Sequence, residues 1–292
     1  MLRSLVVLAF VLTGSSCLPA AEPSPKPTLK WEVTQGCDAP ESAYFDPVTK
    51  NFFISQISGE GGKKDGQGWI TRCDAQGKVL AEKWVEGLNA PKGLRSHKNL
   101  LWVSDIDRVV GFEIDSGKQV AAITIPDAKF LNDLATDADG TVYVSDTMAS
   151  KIYTVKDGKV SVFAEGEKLE CPNGLLVEGD SLVVAGWGYS EDLNPKTPGR
   201  LFKLNLKTKA KTLITKEPTG NLDGIETDGQ GGYIVTDWKA GKVFRISGEG
   251  KVTTLLNFDK PGVADIAYLP RQRLLVVPLM MDNVVQAYEL PK

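Results

Sequence analysis

A short pattern recurs six times along this chain, and it constrains the fold more than any other feature. Each copy places a polar residue just before a strand-like segment, and neighbouring copies lie 40 to 51 residues apart. The polar residues that mark the copies are Glu41, Lys92, Asn132, Asn173, Asp223 and Asp265. Units of about 40–45 residues with four short strands each are typical of β-propeller blades. The sequence therefore predicts an all-β, six-bladed β-propeller.

A second pattern, 13 to 15 residues after the first, supports the same division. It is a strand that ends in a small residue and, in three copies, in Asp105, Asp146 or Asp237. Turn dipeptides separate the two patterns, and no long stretch of residues 28–292 keeps a helical period. A β-sandwich is the alternative, but it does not explain two linked repeats. Because the aspartates recur at equivalent strand ends, we expect them to bind backbone or to tie blades together.

The ring of blades is expected to occupy residues 28–292 as one domain. Insertions at 59–68 and 189–199 account for the two long intervals between copies. A strand at 28–33 precedes the first copy, and a strand at 284–290 ends the last one. We expect the N-terminal strand to join the last blade, which would close the ring and cover an edge that could otherwise aggregate.

The N-terminus has the form of a secretory signal. A short basic start precedes an apolar run at 5–12 that is too short to span a bilayer, and small residues follow it. The sequence predicts a signal peptide at 1–21, a flexible lead-in at 22–27, a secreted or periplasmic protein and no transmembrane segment in the mature chain. A lipid anchor at Cys17 is the alternative. The mature chain keeps Cys37, Cys73 and Cys171, whose pairing the sequence leaves open.

Composition excludes several kinds of chemistry. The single histidine, His97, lies in a polar segment between two strands, so zinc and iron sites that need two or more histidines in one chain are ruled out. Neither GxxxxGK[ST] nor GxGxxG occurs. The net charge of −3 argues against nucleic acid as a partner, because phosphate binding relies on clustered Lys and Arg.

In a propeller the innermost strands begin near the central axis, so the six marker residues should converge at one mouth of the tunnel. Carboxylate and amide oxygens among them suit a hard divalent cation, calcium first, with manganese or zinc as alternatives. Lys92 has two readings. It could bind an anionic substrate or stabilise an oxyanion, or it could neutralise Glu41 or Asp265 in a ring that holds no metal.

Four dipeptides at the blade starts carry a resemblance to a known family. They are Glu41-Ser42, Asn132-Asp133, Asn173-Gly174 and Asp223-Gly224. In this order and spacing they resemble the senescence-marker-protein, gluconolactonase and luciferin-regenerating-enzyme family of six-bladed propellers. The resemblance implies that Glu41, Asn173 and Asp223 are metal ligands and that Asn132 lies beside the metal, touching the substrate or its water.

The same resemblance implies a metal-dependent hydrolase of a small lactone or related ester, with Asp223 as the candidate base. Phe130 stands where sugar-lactone-hydrolysing relatives carry an arginine, and it favours a more apolar or aromatic ligand. We therefore expect Phe130, Lys92 and Asn132 to contact the substrate. The competing hypothesis is a non-catalytic, NHL-like propeller that binds a protein or glycan. A strictosidine-synthase-like cleft is a third option, without a positive motif.

Overall fold

The protein is described by a computed structural model that covers residues 26–291. In this part of the chain, 24 strands form six four-stranded antiparallel sheets, arranged in chain order around a central axis. The only helices within residues 26–291 are two 3₁₀ turns, Glu167–Leu169 and Met280–Asp282. The predicted six-bladed β-propeller is confirmed.

The first three blades each use four consecutive strands, with the first strand of each blade innermost. Blade one contains β2 (Pro40–Phe45), β3 (Phe52–Gln56), β4 (Gly68–Cys73) and β5 (Val79–Leu88). Blade two contains β6 (Pro91–His97), β7 (Leu100–Asp105), β8 (Arg108–Glu113) and β9 (Gln119–Thr124). Blade three contains β10 (Leu131–Thr136), β11 (Val142–Asp146), β12 (Lys151–Lys156) and β13 (Lys159–Glu165).

The next two blades repeat this order, whereas the sixth combines the two ends of the domain. Blade four contains β14 (Pro172–Glu178), β15 (Ser181–Gly186), β16 (Leu201–Asn205) and β17 (Lys211–Leu213). Blade five contains β18 (Leu222–Thr227), β19 (Tyr233–Asp237), β20 (Lys242–Ile246) and β21 (Val252–Asn257). Blade six contains β22 (Ala267–Leu269), β23 (Leu274–Leu279), β24 (Val284–Glu289) and β1 (Thr28–Val33).

The N-terminal strand β1 closes the ring, as predicted. It pairs antiparallel with β24, from Thr28 opposite Glu289 to Val33 opposite Val285. This pairing covers the outer edge of β24 and joins the two ends of the domain in one sheet, which removes an open strand edge.

The core lies between the blades rather than inside any one of them. Phe52 and Phe53 are neighbours on β3, so their side chains point to opposite faces of the sheet. Both are fully buried, which shows that both faces of the sheet are covered. Phe52 packs in a cluster with Val276 of blade six, and Phe53 packs in a cluster with Leu94 of blade two. Each sheet is therefore held on both faces, which accounts for the continuous apolar stretches in the middle strands.

A β-bulge at the start of each of the first five inner strands aims one side chain at the axis. In all five of the first blades the pairing register shifts between the first residue of the inner strand and the fourth. A bulge inserts a residue and turns a side chain out of the normal alternation. The residue that follows the first strand position is the marker residue of the sequence repeat.

The repeated aspartates hold backbone, as expected. The Asp105 carboxylate accepts hydrogen bonds from the backbone N–H groups of Asn89 and Ala90, just before the inner strand of its blade. Asp146 accepts hydrogen bonds from Lys129 and Phe130 in the same place of blade three. These contacts fix the segment that leads into each mouth residue, so the aspartates are structural.

The three cysteines of the described residues are free thiols. Burial raises the pKa of Cys37 to about 11 and that of Cys73 to about 12, which keeps both thiols protonated and poorly reactive at neutral pH. No helix within residues 26–291 has the length and apolar character that a membrane crossing needs. The predicted signal peptide lies outside the described residues.

Candidate active site at the tunnel mouth

Five marker residues meet in one cavity of about 330 Å³ at the tunnel mouth. We call them the polar ring: Glu41, Lys92, Asn132, Asn173 and Asp223. Each comes from the bulge of a different inner strand, and each is buried, with at most 7% of its surface exposed. The structure thus brings together five of the six residues that the repeat placed at this mouth, including the three predicted metal ligands. His97, the single histidine, ends β6 and does not line the cavity.

The sixth position of the ring is Ala264, and its assignment to Asp265 was wrong by one residue. The Thr236 hydroxyl donates to the Ala264 carbonyl at 3.1 Å, as the Ser145 hydroxyl donates to the carbonyl of the ring residue Asn173 at 2.7 Å. Asp265 instead accepts a hydrogen bond from the Ser42 hydroxyl at 2.7 Å and lies outside the cavity lining. The error arose because the one polar residue at the start of the sixth copy, Asp265, lies one position after the residue that is equivalent to the other ring residues.

Three buried oxygens of the polar ring have no hydrogen-bond partner. They are Oε2 of Glu41, Oδ1 of Asn173 and Oδ1 of Asp223, the side chains predicted as metal ligands. An unpaired buried acceptor costs free energy, so a set of such atoms in one cavity needs a ligand to satisfy it. Oxygen donors of this kind fit a hard divalent cation.

The raised pKa values of the carboxyl groups in the polar ring also favour a bound cation. Burial raises the pKa of Glu41 well above its usual value, and the Asp223 carboxylate raises it further. Burial likewise raises the pKa of Asp223, with Asp265 and Asp133 adding to the effect. A cation between the carboxylates would favour their ionised forms, because opposite charge offsets the cost of burial.

The residues present fit a metal that is bound by mixed oxygen donors. No three His, Cys, Asp or Glu side chains group as metal ligands within residues 26–291. A site here therefore depends on the Asn173 amide oxygen together with two carboxylates. Calcium accepts amide oxygens and water beside carboxylates, whereas zinc sites favour His and Cys.

Lys92 lies in the cavity but does not neutralise the acids directly. Its ammonium donates to the carbonyls of Ala90 at 3.1 Å and Gly61 at 3.2 Å, and it lies 4.3 Å from the centre of the Phe130 ring. Among the ion pairs of the described residues, none joins Lys92 to Glu41 or Asp265 within 4.0 Å. Burial lowers the pKa of Lys92, and the charge of Glu41 opposes that shift.

Asn132 is held in place by its neighbours. Its amide Nδ2 donates to the Thr147 hydroxyl at 3.2 Å, and that hydroxyl donates in turn to the Pro172 carbonyl at 3.0 Å. This chain of hydrogen bonds ties the Asn132 amide to blade four, the blade that carries Asn173, and fixes the plane of the amide. Asn132 is therefore positioned rather than free to rotate.

The rest of the cavity is lined by Gly61, Thr147 and Lys239 and, for the most part, by apolar side chains from loops of several blades. These apolar side chains are Ile57, Phe130, Trp187, Leu193, Trp238 and Met280. Trp187 and Trp238 line the cavity with their ring centres 6.1 Å apart, whereas Tyr189 is exposed outside it. The sequence pattern did not predict Ile57, Leu193 or Met280 at the cavity, because loop residues carry no repeat signal that would place them at the mouth.

The sequence of this ring of blades matches a described family. The SMP-30/gluconolactonase/LRE-like region matches residues 101–277, which is more than half of the chain. The chain belongs to the SMP-30/gluconolactonase/LRE-like family. The resemblance drawn from the four dipeptides is confirmed, and membership supports the predicted lactonase-type enzyme.

Solved structures share the fold of this family member at low sequence identity. A gluconolactonase from Xanthomonas campestris matches with a TM-score of 0.68 and 13% identity, over 91% of this chain and 95% of that one. A catalytically inactive virginiamycin B lyase from Staphylococcus aureus, solved with quinupristin, matches with a TM-score of 0.62 and 14% identity, over 91% and 99%. At these identities the matches establish the fold. The search of curated proteins finds no match.

Proposed function

We propose that this protein is a divalent-metal-dependent hydrolase of a lactone or a related ester. The observation that carries the proposal is the set of three buried, unpartnered oxygens of Glu41, Asn173 and Asp223 that open on one cavity. Family membership supports the reaction type.

These three side chains would hold the cation, with calcium favoured by the all-oxygen donor set. When bound, a divalent cation at this site supplies Lewis acidity that polarises an ester carbonyl. The Asn173 amide contributes an oxygen without adding charge. The two carboxylates bring two negative charges that match the charge of the cation.

Asp223 is the proposed general base. Its carboxylate takes a proton from the attacking water as the water oxygen adds to the carbonyl carbon. The acyl C–O bond of the lactone then breaks, and the leaving oxygen takes up a proton to give a hydroxy acid. Asn132, fixed through Thr147, is placed to orient the substrate or the attacking water.

Lys92 and Phe130 form a unit on the substrate side of the ring. Two of the three ammonium hydrogens of Lys92 are used by carbonyl acceptors, which leaves one donor. The position of the Lys92 ammonium over the Phe130 ring keeps this ammonium next to the cavity without a direct carboxylate partner. Lys92 is therefore proposed to stabilise negative charge that develops on the substrate.

A substrate panel tests this function. The protein is stripped with a chelator, reloaded with calcium, manganese or zinc, and assayed against alkyl lactones, sugar lactones and aryl esters. We expect hydrolysis of at least one class that is lost with the chelator and restored by one cation. If the reloaded protein binds the cation but hydrolyses nothing in the panel, the hydrolase proposal is wrong.

We also propose that the chain is exported, because residues 1–21 have the form of a signal peptide. Mass spectrometry of the protein purified from the producing cells and their medium tests this. A mature chain that begins at Glu22 in the exported fraction supports cleavage. A chain that begins at a lipid-modified Cys17 supports the anchored alternative, and an intact chain that stays in the cytoplasm contradicts export.

A further inference from the structure

The cavity has two unlike parts. The polar ring supplies every carboxylate of the lining, whereas the part beyond it is formed mainly by Ile57, Phe130, Trp187, Leu193, Trp238 and Met280. A substrate whose ester group reaches the polar ring therefore places the rest of its structure against aliphatic and aromatic side chains.

Most of the polar groups near this apolar wall have partners within the protein, although the Lys239 ammonium, which lines the cavity, uses one of its three N–H donors. The Trp187 indole N–H donates to the Leu193 carbonyl at 2.9 Å, and the Lys239 ammonium donates to the Asn194 amide oxygen at 3.0 Å. The Thr147 hydroxyl donates to the Pro172 carbonyl. Few groups are left to pair with hydroxyls on a substrate.

Leu193 shows that the apolar wall is a specific feature of the loop. Its backbone has φ of +57°, in the left-handed region that leucine rarely adopts. Such a conformation persists where the surroundings determine it, and here the Leu193 carbonyl is held by the indole of Trp187. The loop thus holds an aliphatic side chain at the cavity in an unfavourable backbone conformation.

Resting on the hydrolase function above, we infer that the substrate is a lactone or ester with an alkyl or aryl substituent, and not a polyhydroxylated sugar lactone. An apolar substituent gains from leaving water for this wall. A sugar ring would bury several hydroxyls where few partners are free, and each hydroxyl left unpaired costs free energy. Discrimination against one added hydroxyl by an apolar pocket reaches about 100-fold.

A matched pair of lactones tests the inference. δ-Nonalactone and glucono-δ-lactone share the six-membered lactone ring, but one carries a butyl chain and the other carries hydroxyl groups. With the calcium-loaded protein we expect kcat/KM for δ-nonalactone to exceed that for glucono-δ-lactone by at least about 100-fold. Equal or faster hydrolysis of glucono-δ-lactone overturns the inference and leaves the hydrolase function standing.

A variant tests the wall itself. Leu193→Asn keeps a residue that tolerates the left-handed backbone but replaces the aliphatic side chain with an amide. We expect kcat/KM for δ-nonalactone to fall about 10-fold with little change in melting temperature. The control is Lys50→Asn, which places the same residue at another left-handed position, φ +59°, on the exposed surface outside the cavity. An unchanged preference in Leu193→Asn counts against the wall as the source of selectivity.

Binding of non-hydrolysable lactams separates the inference from the function. Intrinsic tryptophan fluorescence, to which Trp187 and Trp238 at the cavity contribute, is measured as the lactam analogues of the two lactones are titrated. If neither lactone is hydrolysed, the proposed function fails, but tighter binding of the butyl lactam still supports the ligand class. Tighter binding of gluconolactam, or no binding of either compound, overturns the inference.

Discussion

Arg95 and Glu226 form an ion pair across the central tunnel, with 3.1 Å between Arg95 Nη2 and Glu226 Oε1. The two residues come from the inner strands β6 and β18 of blades two and five, which lie opposite each other in the ring of six. Each residue stands three positions after the polar-ring residue of its blade. The pair therefore joins opposite sides of the propeller deeper in the tunnel than the candidate site.

The titration of Glu226 predicts a pH dependence of stability. Burial raises its pKa to about 7, although the charge of Arg95 acts to lower it. Because the folded-state pKa lies above the value of about 4.3 for a solvated glutamate, the folded state holds this proton more tightly. The stabilisation is full below about pH 4 and is lost as the pH rises through 7.

We expect the free energy of unfolding to fall between pH 5 and pH 8, with about 3 kcal/mol of the change from Glu226. Urea denaturation at both pH values measures it. Glu226→Gln should reduce the change, whereas the exposed control Glu86→Gln should not. A Glu226→Gln variant with the full wild-type pH dependence would contradict this assignment.

Removal of one partner of the tunnel ion pair should cost more than removal of both. Arg95→Met leaves the Glu226 carboxylate without its cation, and loss of one partner from a buried pair costs about 3–5 kcal/mol. Arg95→Met combined with Glu226→Leu removes both charges, so we expect much of the stability to return. A double-mutant cycle in urea checks this, and additive losses from the two substitutions would show that the residues are not coupled.

The repeat predicted the blades and all five residues of the polar ring, because bulges at equivalent strand positions impose the same spacing on both. It did not predict that Ala264 takes the sixth position, since the single polar residue of that copy, Asp265, does not show which position faces the tunnel. Nor did it predict Leu193 or Met280 at the cavity. Their positions depend on how loops from different blades fold over the mouth, and no periodicity in the chain records that packing.

Calcium should stabilise the protein through Glu41. A cation that binds only the folded state at 100 times its dissociation constant adds about 2.7 kcal/mol, which raises the melting temperature of a domain of this size by roughly 5 °C. Differential scanning fluorimetry with calcium and with chelator measures the shift. Glu41→Gln should reduce it strongly, whereas the exposed Glu249→Gln should retain it. Equal shifts in both variants would place the cation elsewhere.

Asp223 and Asp265 offer the sharpest contrast, because both are buried carboxylates but only Asp223 lines the cavity. Asp223→Asn removes the charge from a proposed ligand and base, so we expect hydrolysis to fall by about 100-fold or more and the calcium-dependent shift to shrink. Asp265→Asn disturbs the hydrogen bonds to the Ser42 hydroxyl and the Ile266 N–H, at a cost of about 1–3 kcal/mol in stability, yet it should keep the calcium-dependent shift. Scanning fluorimetry and steady-state kinetics on both variants decide the matter. Loss of the shift in Asp265→Asn alone would restore Asp265 to the ring in place of Ala264.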